Sequence, residues 1–133
     1  MKVVDSVGWI EYFVDGPLAE RYAHYIEDPD GLATPSIVVY EVFKKILRDG
    51  GEHSAVEAIA NMQKTTVVPL TSELAIHAAE LSLTHKLPLA DAIVYATAQS
   101  VEATVVTGDQ HFKVLPGVEF VAVRDADEDE ARA

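Results

Sequence analysis

The sequence contains no cysteine, which excludes disulfides, thiolate nucleophiles and cysteine-based zinc sites. No apolar run approaches the roughly 18 residues of a membrane span. There is no Gly-x-Ser-x-Gly elbow and no glycine-rich loop ending in Lys-Ser or Lys-Thr. The five histidines (His24, His53, His77, His85, His111) lack the spacing of a zinc-binding helix. Serine-hydrolase, P-loop and helix-borne zinc chemistries therefore fall away. Cations are scarce too: 10 Lys and Arg stand against 22 Asp and Glu, a net charge of −12. That excludes a broad basic surface for phosphate contact. Any nucleic acid must be held locally, by metal ions or a few cations.

What is present reads as one domain. The 133 residues, 49% hydrophobic, suffice for a single hydrophobic core. Met1-Lys2-Val3-Val4-Asp5 enters a strand directly with no signal-peptide pattern. With cysteine missing, this leads us to expect a cytoplasmic protein without membrane contact.

Residues 2–5 are expected to form a strand ending on an acid, and Ser6 suits the cap of the next helix. Trp9, Ile10 and Phe13 give that helix an apolar face, and Gly16 ends it. Pro17 opens a second helix to residue 27, with Leu18, Tyr22, Tyr25 and Ile26 inward. A turn over 28–31 leads to a second strand at 32–34. Thr34-Pro35 reads as a cap and first-turn proline for a helix over 35–48, with Val39, Val42, Phe43 and Ile46 inward. Gly50-Gly51 ends it, and a weaker amphipathic helix follows over 52–63. A third strand is expected at 65–70. Thr71 caps a helix over 72–85, with Leu74, Ala75, Ala78 and Leu81 inward. Pro88 opens a helix that is apolar nearly all round and hence buried. Residues 104–107 read as the fourth strand and 119–123 as the fifth. From Asp125 the chain is a run of charge, expected to be disordered. Strands alternating with helices predict an α/β fold, a central, mostly parallel sheet of four to five strands flanked by helices. The domain covers residues 1–124 and the acidic tail 125–133.

Four acids stand out. Asp5 ends the first strand, and Asp109 follows the fourth on Thr107-Gly108-Asp109, just past the sheet's carboxyl edge, where ligands bind in open parallel sheets. Glu41 lies in the helix after the second strand, Asp91 in the first turn of the buried helix. Parallel topology brings all four to one edge. Gathered there, they would repel one another unless hard divalent ions, Mg²⁺ or Mn²⁺, neutralised them. Such ions can activate water for in-line attack at phosphorus. Each acid also has a plainer reading: Asp5 as a cap, Glu41 as an ion-pair partner of Lys44 and Lys45, Asp91 as complement to the helix dipole, Asp109 as a turn residue. Lys44, Lys45 and Arg48 form a small basic stripe.

The ordered pieces Val3-Val4-Asp5-Ser6, Ser36 with Glu41, Leu89-Ala90-Asp91-Ala92-Ile93 with Ala96, and Val106-Thr107-Gly108-Asp109 before His111-Phe112 resemble the PIN-domain family. In size and detail they are similar to its VapC-type toxins. The resemblance spans residue 2 to about 123. It implies a Mg²⁺-dependent endoribonuclease acting on structured RNA such as tRNA, dimeric, and silenced by an antitoxin. By position, Asp5, Glu41, Asp91 and Asp109 would form the catalytic, metal-binding cluster, with Ser6 and Thr107 as polar residues beside it. His111 stands where some relatives carry another acid and is not assigned as a ligand. Three other readings stay open: a housekeeping RNA-processing nuclease of the same fold, a non-catalytic binding module, and a receiver-like signalling domain. The last lacks an acceptor aspartate, because the third strand runs out through Val67-Val68-Pro69-Leu70-Thr71.

Overall fold

The computed structural model describes residues 1–121, so the expected tail and the end of the expected fifth strand lie outside the described residues. Among the described residues five strands form, all parallel to their neighbours. β1 (Lys2–Val4) pairs with β4 (Thr104–Thr107), and β4 pairs with β5 (Val118–Phe120). β2 (Ala33–Pro35) pairs with β3 (Thr66–Val68). A single parallel bridge, Lys2 to Leu32, joins the two ladders into one row, β3-β2-β1-β4-β5. The expected sheet of four to five strands is therefore present, with a narrow seam between β2 and β1. Val3 and Val4 lie opposite Val105 and Val106, and all four are buried. Their continuous rather than alternating apolar character is what a sheet covered on both faces requires.

The helices are α1 (Ser6–Phe13), α2 (Ala19–Ile26), α3 (Ser36–Met62), α4 (Ser72–His85) and α5 (Leu89–Ser100). In α5 residues 92–98 are all buried, so this helix is the spine of the core, packed on α4 and the sheet. The two helices expected over 35–48 and 52–63 meet without a loop: α3 is broken only at Gly51, whose φ of +88° departs from the helical region. Within its first half the buried row is Val38, Val42 and Ile46, and Val39 and Phe43 pack at the core's edge. Ala75 and Leu89, expected inward, are exposed.

Two caps differ from expectation. Asp5, not Ser6, caps α1, and Pro35 occupies the cap position of α3 without a side-chain bond. Thr34 instead turns into the sheet, its hydroxyl 2.6 Å from that of Thr65. Thr71 caps α4 as expected, accepting from the Leu74 amide at 3.2 Å. Among the described residues no helix is long and apolar enough to cross a membrane.

Candidate functional site

The carboxyl edge of the sheet collects the acids because every strand is parallel. β1 stops at Val4 and delivers Asp5; β4 stops at Thr107 and delivers Asp109. Glu41 lies in the second turn of α3, which follows β2, and Asp91 in the first turn of α5.

Asp5 is buried, 6% exposed, and both its oxygens are bonded. Oδ1 accepts from the Gly8 amide at 3.0 Å, which makes it the helix cap, and Oδ2 accepts from Thr107 Oγ1. Thr107 Oγ1 in turn accepts from the Asp109 amide at 3.0 Å. Asp109 Oδ1 accepts from the His111 amide at 2.9 Å and lies 2.7 Å from His111 Nδ1. The same Nδ1 is 3.1 Å from Asp91 Oδ2. Asp91 and Asp109 also hydrogen-bond each other through their side chains, and Ser6 bonds Glu41. Asp5, Thr107, Asp109, His111 and Asp91 thus form one bonded chain, while Glu41, bonded to Ser6, reaches it only through the charge it exerts on Asp5.

The charges in this cluster are strained. Burial pushes the Asp5 carboxyl up to about 6, against the opposing pull of the Thr107 and Gly8 bonds, and the charges of Asp109 and Glu41 push it further. Asp91 is raised to about 7, first by burial, then by the charge of Asp109 and the bond the two share; His111 opposes the rise. Glu41 is raised by burial, with the Ser6 bond pulling the other way. A divalent cation fits the donor set by the same logic. One ligand atom each from Asp91, Asp109 and His111 lies within 4.8 Å of the others. Carboxylate oxygens in the majority favour Mg²⁺ or Mn²⁺ over softer ions.

The plainer readings resolve unevenly. Asp5 does cap α1, and it is a cluster member as well. Glu41 makes no ion pair with the lysines three and four residues on. Lys45 and Arg48 are both held by Asp49, at 2.7 and 3.0 Å, and Lys44 leans over the Tyr40 ring. A single carboxylate thus pairs with two of the three cations of the stripe, and Lys44 keeps its charge beside Tyr40. His77 is satisfied at the surface by Gln99, 2.7 Å away. His111 is the residue that sequence reasoning left out. The short helical turn Gln110–Phe112 folds it back over Asp91 and Asp109, and its position two residues past a strand-end acid was the one available signal.

A family model described as PIN domain matches residues 2–118. No match is found among curated proteins. Among solved structures, a toxin–antitoxin complex from Klebsiella pneumoniae is similar with a TM-score of 0.81 at 22% identity, covering 92% of this chain and 100% of that one. A sarcin-ricin-loop-cleaving VapC toxin from Mycobacterium tuberculosis gives 0.74 at 20% identity, covering 92% and 98%. A DNA-bound VapBC complex from Salmonella typhimurium gives 0.67 at 19%, with the same coverage.

Proposed function

The chain belongs to the PIN-domain family, and on that premise we propose that it is a metal-dependent endoribonuclease, the toxin of a type II toxin–antitoxin pair. The observation that carries the reading is the convergence of Asp5, Asp91 and Asp109 at one sheet edge, tied together through Thr107 and His111. Asp5, Asp91 and Asp109, with Glu41, would hold Mg²⁺ or Mn²⁺. Such an ion supplies the positive charge that a phosphodiester and its attacking water need.

The chain's own residues do the rest. Thr107 and the Gly8 amide hold Asp5 in one rotamer, so its carboxylate faces the cluster without reorganisation. Ser6 does the same for Glu41. His111 bridges Asp91 and Asp109 and fixes their separation. The substrate is RNA, of a structured kind such as tRNA, met in the cytoplasm. With 10 Lys and Arg against 22 Asp and Glu, phosphate is held at the cluster rather than over a broad basic surface. A cognate antitoxin restrains the enzyme. The protein works as a homodimer through the apolar surface around Leu83 and Leu89, which are 85% and 78% exposed and border a cavity between α4 and α5.

The test is expression of the wild type and Asp91→Asn without antitoxin, comparing growth and RNA integrity. The wild type alone should arrest growth and fragment RNA. Equal harmlessness of two folded proteins would overturn the reading.

A further inference from the structure

The backbone segments that hold Asp5 and Asp109 meet at a single side chain. Tyr22, on α2, is 1% exposed. One edge of its ring lies against Gly8: a Cβ there would stand 2.5 Å from Tyr22 Cε1 and 2.7 Å from Cδ1. Gly8 is the residue whose amide donates to Asp5. At the far end of the ring, the hydroxyl lies against the backbone of Gly108. A Cβ on Gly108 would lie 3.5 Å from that hydroxyl and 2.7 Å from the Val121 carbonyl oxygen. Gly108 is the residue before Asp109. Gly8 is therefore a place where a side chain is excluded so that Tyr22 can approach the backbone, whereas at Gly108 the excluding atom is the Val121 carbonyl oxygen and the Tyr22 hydroxyl lies at ordinary contact distance.

The aromatic ring fixes the distance from Cγ to the phenolic oxygen, so the side chain is a spacer of fixed length. We propose that Tyr22 is a positioning residue. It sets the separation between the Gly8 amide beneath Asp5 and the Gly108 turn that presents Asp109, and so sets the width of the metal-binding cluster. The inference rests on the metal site proposed above, but it concerns a residue that touches neither ion nor RNA. The sequence marked Tyr22 only as an inward aromatic. The structure adds that it contacts both strand-end turns at once, from an element outside the sheet.

Removing the hydroxyl leaves the ring in place against Gly8 and releases only the Gly108 end. A cavity of about 210 Å³ bordered by Tyr22, Gly108 and Asp109 gives the turn room to relax once that contact is gone. Tyr22→Phe should therefore fold, yet present Asp109 loosely. Loss of such a supporting contact lowers metal affinity by roughly tenfold or more.

The experiment measures Mn²⁺ affinity and RNA cleavage for the wild type, Tyr22→Phe and Met62→Ala, with amide spectra of the metal-free proteins. Met62 is buried at the end of α3, so its truncation destabilises the fold without touching either turn. The expected result is about a tenfold loss of Mn²⁺ affinity in Tyr22→Phe, with the Gly8 and Gly108 amide signals displaced and Met62→Ala unchanged in both. Wild-type affinity in Tyr22→Phe, or an equal loss in Met62→Ala, overturns the proposal. A wild type that binds Mn²⁺ but cuts no RNA defeats the ribonuclease reading alone, since Tyr22 is then judged on Mn²⁺ affinity. A wild type that binds no Mn²⁺ defeats both.

Discussion

Thr107 Oγ1 donates to Asp5 Oδ2 across 102 residues of chain and accepts from the Asp109 amide at 3.0 Å. One hydroxyl thereby couples the ends of β1 and β4 and orients the two acids they deliver. Thr107→Val keeps the shape and removes both bonds. It should cost about 1–3 kcal/mol of stability, because a buried carboxylate oxygen and an amide lose a partner. It also removes a contact that holds the Asp5 carboxyl down, so the acid limb of the pH–activity profile should move to higher pH. Chemical denaturation and a pH series of cleavage rates check both; an unmoved limb would refute the coupling.

The metal-free protein should become more stable as the solution is acidified from pH 8 to 5. Asp5 and Asp91 take up protons near 6 and 7 when folded, whereas an unfolded aspartate does so near 3.8. Their folded values are raised, so the stabilisation is complete below the unfolded value and disappears as pH rises through the folded ones. Raising a carboxyl's midpoint by one pH unit is worth about 1.4 kcal/mol, and less at the half-open Asp91, where water screens the charge. Exposed Asp49, lowered to about 2 by Arg48 and Lys45, acts in the opposite sense but below this window. Melting temperatures in chelator should rise on acidification, and a flat or falling series counts against the strained cluster.

Divalent ions should invert that trend. At pH 8 Mg²⁺ or Mn²⁺ at a hundred times its dissociation constant should stabilise by about 2.7 kcal/mol. In a domain of this size that is a rise of roughly 10 °C in melting temperature. At pH 5 protons compete for Asp5 and Asp91 and the rise should shrink sharply. Asp91→Asn should melt higher than the wild type in chelator, freed of repulsion, and respond little to either ion. A large ion-induced rise in that variant would remove Asp91 from the site.

Leu83→Glu combined with Leu89→Glu places charge on the apolar surface beside α4 and α5. The double variant should elute as a monomer at concentrations where the wild type is dimeric, with Mn²⁺ affinity unchanged. Light scattering with a binding titration separates the two effects.

Much of the site was legible because its residues are anomalous in their surroundings. Asp91 is a lone acid at the head of a helix buried from residue 92 to 98, and Asp109 follows a run of buried β-branched residues. Thr71 and Gly51 announced their cap and break through chemistry that acts within a few residues. Other features turned on choices that spacing leaves degenerate. Asp5 and Ser6 are both good caps, and the extended backbone of Asp5 decides between them. Lys45 has an acid four residues away in each direction; it pairs with exposed Asp49 because Glu41 is half-buried against Ser6. Tyr22 was silent because its role depends on which distant turns it touches, and His111 offered no more than its spacing from Asp109.

The bond that spans 102 residues also carries a temporal consequence. On a translating ribosome Asp5, Glu41 and Asp91 all emerge before β4 exists, and nothing yet holds them together. Their converged arrangement arises only when one of the last strands is released and Thr107 closes on Asp5. A product truncated before that threonine retains three of the four acids without the bond that ties Asp5 to the end of β4, so the cluster closes only once residue 107 has been made.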